Sequence, residues 1–101
     1  MTVENMKSYQ GNAVPNQFII TEEGHGAHGN FREMKTFQSY KKTIAIVTVW
    51  DGMRKETELD EDYWDSSNTT GKYRNQFLDE TKRETEAKIA SGEYKLKNLN
   101  K

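Results

Sequence analysis

Residues 59–78, LDEDYWDSSNTTGKYRNQFL, join two different kinds of sequence pattern. Before them the chain alternates in the manner of β-strands, and after them apolar residues recur at helical spacing. A threonine of the TT pair could accept a hydrogen bond from an early N–H group of a helix that begins near Gly71. Tyr73 and Phe77 are four residues apart and would share one face of that helix. The stretch therefore predicts the joint between a sheet and a helical segment.

The residues before this joint predict four strands. Their sequences are QFIIT (17–21), KTFQSY (35–40), TIAIVTVW (43–50) and MRKETELD (53–60). Alternation gives the third run two apolar faces, with Ile44, Ile46 and Trp50 on one and Ala45, Val47 and Val49 on the other. Apolar residues on both faces are typical of a central strand. The Asp51-Gly52 dipeptide that follows favours a tight hairpin into the polar fourth run.

The residues after the joint predict either two short helices over 70–79 and 81–91 or one helix kinked near Asp79. Thr81 and Glu84 have the spacing of a capping box, and Gly92 stands where a left-handed helix cap belongs. The alternating run EYKLKNLN (93–100) predicts a closing strand. We therefore expect an α+β fold in the order ββββααβ, an antiparallel sheet of about four to five strands covered on one face by the helical segment.

The composition fits one small domain. The chain has 101 residues, of which 33% are apolar and 31% charged, and its formal net charge is -1. Residues 1–15 show no period and predict a flexible tail, so that residues 16–101 form the single domain. The sequence contains no cysteine, which excludes disulfides and thiolate zinc sites. The longest apolar run, IAIV, is far too short to span a bilayer, and we expect a cytoplasmic protein with no membrane partner.

Four carboxylates cluster around the aromatic pair Tyr63-Trp64. They are Asp60, Glu61, Asp62 and Asp65. An EF-hand loop would need oxygen ligands at the positions that Tyr63 and Trp64 occupy, so the cluster does not predict a calcium site. Carboxylates at the start of a helical segment also interact favourably with the helix dipole. We expect neither a metal nor a cofactor here.

Other catalytic patterns are weak. His25 and His28 lie in a glycine-rich run without a third ligand, and a metal site needs three or four ligands. Asp65 with Glu86 and Lys88 has the composition of a nuclease motif, but Glu86 and Lys88 fall in a predicted helix, where residues two apart do not face each other. No GxSxG motif occurs. We therefore expect a protein that is not an enzyme.

Two kinds of binding surface remain. Tyr63 and Trp64 would point to opposite faces of an extended chain, so that one enters the core and the other offers an anchor to a protein partner. Alternatively, the chain binds nucleic acid through basic residues near its C-terminus. These are Lys72, Arg74, Lys82, Arg83, Lys95 and Lys97. Arg74 could instead be solvated, or pair with Asp65 or Asp79.

Several short motifs occur together in the C-terminal two-thirds of the chain. They are FQSYKKTIA, Tyr63-Trp64-Asp65, Thr69-Thr70, Lys72-Tyr73-Arg74-Asn75 with Phe77-Leu78, and Gly92-Glu93-Tyr94. Through them, residues 37–100 resemble a family of small, largely uncharacterised proteins encoded by bacteriophages and plasmids. Ser66 departs from that pattern, in which we expect an aromatic residue.

The resemblance implies an accessory protein of a mobile element. Such proteins often bind and inhibit a host defence machine, and we expect an inhibitor of a type II CRISPR effector nuclease, or of its guide-RNA complex, in the bacterial cytoplasm. The predicted partner-binding residues are Asp60, Asp62, Tyr63, Trp64, Asp65, Lys72 and Arg74. The number of protein copies in the working assembly is left open.

Overall fold

The computed structural model describes residues 1–24, 31–50 and 54–101. Along these residues the elements are β1 (Thr2–Lys7), β2 (Ala13–Glu23), β3 (Phe31–Ser39), β4 (Lys42–Trp50), β5 (Lys55–Asp60), α1 (Asn68–Leu78), α2 (Lys82–Ser91) and β6 (Tyr94–Lys97). The predictions for His25, His28 and the Asp51-Gly52 turn lie outside the described residues.

The strands form one sheet in the order β1-β2-β3-β4-β5-β6. Neighbours are antiparallel from β1 to β5, whereas β6 pairs with β5 in parallel. The α+β class is confirmed, but the predicted antiparallel sheet of four to five strands is wrong in detail, since the sheet is mixed and has six strands. The parallel pair arises because the two helices return the chain to the N-terminal half of β5, where Tyr94 lies opposite Thr57.

The prediction of a flexible tail over residues 1–15 is wrong for β1. This strand pairs with β2 from Thr2 opposite Thr21 to Asn5 opposite Phe18. Met6 is only 2% exposed and belongs to the core. Pro15 lies opposite the point where the register shifts, so its missing N–H group falls where the ladder is already interrupted.

Both helices have defined ends. The side chain of Ser67 caps α1 by accepting a hydrogen bond from the Thr70 N–H, so the cap lies before the predicted Thr69 or Thr70. Asp79 ends α1 in the left-handed conformation. The predicted capping box of Thr81 and Glu84 is present at α2, and Gly92 ends that helix with φ of 84°.

The core lies between one face of the sheet and the helices. Phe37, Ala45 and Leu59 are paired across β3, β4 and β5 and therefore share a face, and none of the three is exposed. The ring of Phe77 in α1 stacks on Phe37 with the ring centroids 5.7 Å apart. The other buried apolar residues are Met6, Ile44, Tyr73 and Tyr94. Neither described helix combines the length and apolar character that crossing a membrane requires.

Candidate functional site

The predicted site residues gather around the connection between β5 and α1. We call residues 61–67 the aromatic turn, because they carry Tyr63 and Trp64. Two buried residues outside the turn contact it, namely Asp60, which directly precedes it at the end of β5, and Arg74 in α1. Their contacts explain why the turn has a defined conformation.

Asp60 holds the start of the aromatic turn. Its Oδ2 accepts hydrogen bonds from the N–H groups of Asp62 (3.1 Å) and Tyr63 (2.9 Å), and its Oδ1 accepts one from Leu99 (2.8 Å). Burial raises the pKa of this carboxyl, but the hydrogen bonds, including one from Asn100, lower it below its ordinary value overall. Since Asp60 has no exposed surface, the prediction that it contacts a partner is wrong for the folded protein.

Arg74 holds the other end of the turn. Its Nη1 donates to the carbonyl oxygen of Trp64 (2.7 Å) and to Oδ1 of Asp65 (3.0 Å), and its Nη2 donates to the side chain of Asn75 (2.8 Å). The guanidinium carbon also lies 5.1 Å from the Trp64 ring centroid, within the range of a cation–π contact. Arg74 has no exposed surface, so its predicted contact with a partner or with phosphate is wrong. The alternative of a pair with Asp65 is confirmed.

Asp65 connects both helices to the turn. Besides Arg74, its carboxylate pairs with Lys82 of α2, with Nζ and Oδ2 2.7 Å apart. Burial raises the pKa of Asp65, but Lys82 and Arg74 lower it overall, and the same contact raises the pKa of Lys82. The Asp65 carboxylate therefore links the aromatic turn to α1 and to α2.

The remaining predicted residues lie at the surface. Asp62 and Lys72 are exposed, whereas Tyr63 and Trp64 are partly buried against the core. The Lys42 ammonium lies 4.9 Å from the centroid of the Tyr63 ring. Lys72 and Asp65 line one shallow depression of about 230 Å³ beside the turn. The role of these residues in binding stays a prediction.

The basic residues of the nucleic-acid alternative are partly neutralised by ion pairs within the protein. Arg74 and Lys82 share Asp65, and Lys97 pairs with Glu58 at 2.6 Å. Lys72, Arg83 and Lys95 are exposed. An ion pair within the protein reduces the charge that a cation can offer to phosphate, which weakens this alternative.

A second polar cluster, which the sequence did not reveal, lies where α1, α2 and β6 meet. Glu80 accepts hydrogen bonds from Thr85 (2.5 Å), Lys88 (2.8 Å) and the Tyr94 hydroxyl (2.7 Å), and its side chain is 3% exposed. Burial raises the pKa of Glu80, but these three donors lower it overall. Burial and the Glu80 carboxylate raise the pKa of Tyr94 to about 12. Helical spacing could have suggested only the approach of Thr85 and Lys88, because Tyr94 lies beyond the end of α2.

A cleft of about 230 Å³ opens on the helix side of the sheet, beyond the C-terminal end of α1. Its apolar walls are formed by Val47, Val49, Phe77, Leu78 and Tyr94, and its polar lining by Glu33, Lys35, Lys55 and Thr57. The one sequence signal for this cleft is the second apolar face of β4, since Val47 and Val49 follow Ala45 on the helix side.

Carboxylates do not converge on a metal site in the described ranges. Among residues 1–24, 31–50 and 54–101, no three histidine or acidic side chains stand close enough to hold an ion. Glu86 and Lys88 do lie in α2, as predicted, and Lys88 is bonded to Glu80.

Comparison with known proteins gives a family but no activity. No curated protein and no solved structure matches the chain. One family model does match, over residues 1–93, and its description is a family of unknown function, DUF8033. Because the match spans β1 to β5 and both helices, the chain belongs to this family of unknown function.

Proposed function

We propose that the protein acts by binding another protein through the aromatic turn, and that it is not an enzyme. The observation that carries this proposal is the anchoring of Tyr63 and Trp64. Asp60 fixes the backbone of Tyr63, and Arg74 fixes the carbonyl and lies against the ring of Trp64. Aromatic side chains that are already ordered bind at a lower entropic cost, which favours them as anchors.

The charges around the turn support a protein surface as the partner. Glu61 and Asp62 are exposed on the turn itself, while Lys42 and Lys72 are exposed nearby. Charges of both signs near a partly exposed aromatic pair favour a partner with complementary charges over a uniformly negative nucleic acid backbone.

In its narrower form, the proposal is that this protein is an accessory protein of a phage or plasmid and inhibits a host defence protein. The candidate target is a type II CRISPR effector nuclease. This form is supported by the resemblance of residues 37–100 to phage and plasmid proteins. The Tyr63-Trp64-Asp65 motif of that resemblance lies within the aromatic turn.

A plasmid-interference assay tests the proposal. In cells with an active type II CRISPR system, expression of the protein should restore transformation by a targeted plasmid. The Asp62→Lys variant should reduce this protection by about tenfold or more, because like charges across an interface cost several kcal/mol. Glu86→Lys, an exposed charge reversal on α2, is the matched control and should protect as well as the wild type.

Thermal unfolding of both variants shows whether they remain folded. Lack of protection by a well-expressed, folded wild-type protein would remove the CRISPR form of the proposal. Equal protection by the Asp62→Lys and wild-type proteins would remove the aromatic turn as the contact surface.

Nucleic-acid binding is the alternative function. It predicts a mobility shift of DNA or RNA that weakens steeply with salt. Because Arg74 is buried, Lys72→Gln is the appropriate test variant and should reduce the salt dependence. Unshifted DNA and RNA at low salt would exclude this alternative.

A further inference from the structure

We propose that the cleft beyond the C-terminal end of α1 receives one apolar side chain of a protein partner, with an adjacent carboxylate of that partner pairing with Lys55. This inference rests on the proposed function, because it names a second contact region for a protein partner. The two regions lie at opposite ends of β5, since Lys55 begins that strand and Asp60 ends it.

The strand register forms the floor of the cleft. Val47 lies between Lys35 on β3 and Thr57 on β5, and Val49 lies between Glu33 and Lys55 in the next row. All these side chains point to the same face as Ala45, where the helices pack, because residues two apart on a strand share a face. Two valines thus form an apolar strip with polar residues on either side.

The helices leave this strip open. Helix α1 packs on β3 and β4, where Phe77 stacks on Phe37, and it ends at Leu78. Phe77 and Leu78 therefore form one wall of the cleft, and the Tyr94 ring forms another. Neither described helix extends over Val47 and Val49, which stay only partly buried.

The walls are already ordered without a ligand. The Phe77 ring is held by Phe37, with centroids 5.7 Å apart, and the Tyr94 hydroxyl donates to Glu80 at 2.7 Å. Because these side chains need no further ordering, an occupant gains from the apolar contact at a low entropic cost.

The size of the cleft selects the occupant. About 230 Å³ is below the roughly 300–1,000 Å³ of sites that enclose drug-sized ligands. It is the scale of one large apolar side chain, and anchors of this kind in well-packed pockets carry much of the binding energy of protein interfaces. A single anchor residue of a partner therefore fits better than a metabolite.

The charges select what stands beside the anchor. The Nζ of Lys35 lies 3.9 Å from Oε1 of Glu33. Lys88 and Glu93 line the adjoining part of the cleft, and Lys88 forms an ion pair with Glu80. Lys55 makes no ion pair with any residue in the described ranges. Glu93 lines only the adjoining part, so the charged residues that line the cleft itself, Glu33, Lys35 and Lys55, leave one net positive charge. A carboxylate next to the anchor would complement that charge.

Titration with a capped dipeptide, acetyl-Phe-Asp-amide, tests this inference without a host partner. We expect saturable shifts of the backbone amide NMR signals of Val47, Val49, Leu78 and Tyr94, with a Kd in the millimolar range. Acetyl-Ala-Asp-amide should bind at least about tenfold more weakly, because it buries no large side chain. Lys55→Gln should weaken the Phe-Asp probe by roughly two- to fivefold, the range of an exposed ion pair. Lys95→Gln, an exposed lysine on β6, is the matched control and should have no effect.

Three outcomes would overturn the inference. These amides do not shift with the Phe-Asp probe, or the Ala-Asp probe shifts them equally well, or they shift with protein concentration alone, which would identify a second copy of the chain as the occupant. The same distinction can be made in cells. If the wild type protects in the interference assay and Lys55→Glu protects equally, the cleft is not a contact region, while the proposed function stands.

Discussion

The side chains of Asp60 and Arg74 illustrate how buried charges organise a surface that they do not themselves reach. Asp60 satisfies N–H groups of the aromatic turn and, through Leu99, of the C-terminal segment. Arg74 donates to one carbonyl and two side chains while its guanidinium covers the Trp64 ring. Removing one partner from a buried, charged hydrogen-bond network leaves several donors or acceptors unsatisfied, so both residues should be sensitive to substitution.

The Asp60→Asn variant should lower the free energy of unfolding at pH 7 by roughly 1.5–3 kcal/mol, because the amide loses the charge that accepts three N–H groups. Urea unfolding measures this. Asp62→Asn, an exposed neighbour, should change stability by less than about 0.5 kcal/mol. Equal stability of the Asp60→Asn and wild-type proteins would contradict the structural role of this carboxylate.

The dependence of stability on pH should reveal the same contribution of the Asp60 carboxylate. The folded protein lowers the pKa of Asp60 below its ordinary value of 3.8, so the folded state favours the charged form. The Asp60 carboxylate therefore stabilises the folded protein fully above pH 3.8, and this stabilisation is lost as the pH falls through the lowered pKa of the folded state. Unfolding free energy measured from pH 6 to pH 2 should therefore fall less steeply for Asp60→Asn than for the wild type. Parallel curves would show that Asp60 does not contribute to the acid sensitivity.

At the scale of single elements, the helix ends show which local signals are readable. The capping box at Thr81 and Glu84 was predicted because both partners lie within four residues of each other. The predicted cap of α1 was misplaced because SSNTT offers several similar polar residues, of which Ser67 accepts the hydrogen bond from the Thr70 N–H. The turn between β3 and β4 contains Tyr40 at φ of 56°, without the glycine or asparagine that usually marks such a position.

The two C-caps make a paired prediction. Asp79 adopts φ of 55°, which is unfavourable for a residue with a Cβ, and so Asp79→Gly should stabilise the protein by about 0.5 kcal/mol. Gly92→Ala should destabilise it by about 1 kcal/mol, since φ is 84° there. A Cβ at residue 92 would meet no atom within 4 Å, so this cost is conformational and not a clash. Thermal unfolding measures both, and changes of the same sign would contradict the assigned conformations.

At the scale of the whole molecule, the N-terminal strand completes the core. Met6 contributes a buried side chain, and the side chain of Gln76 in α1 donates to the carbonyl oxygen of Lys7. These contacts hold β1, which the sequence predicts to be a flexible tail, against the core and helix α1. The family match from residue 1 is consistent with β1 as part of the domain.

Met6→Ala should therefore destabilise the protein by roughly 2–5 kcal/mol, the range for truncating a buried methionine. For a domain of this size that corresponds to a melting temperature lower by about 10 °C or more. Val3, on the same strand, is 57% exposed, and Val3→Ala should have little effect. If Met6→Ala and the wild type melted together, β1 would be the loose tail that the sequence suggested.

The sequence by itself determined the type of both helices and of β2 to β6, the capping box of α2 and the apolar character of both faces of β4, because these depend on residues within a few positions of each other. Only the tertiary structure decided that β6 is parallel to β5, that Asp60 and Arg74 are buried, that Glu80 gathers three donors and that a cleft stays open above Val47 and Val49. Each of these depends on groups that are distant in sequence, as Asp60 and Leu99 are. Periodicity reports which face of an element is apolar, whereas burial and charge pairing depend on which other element covers that face.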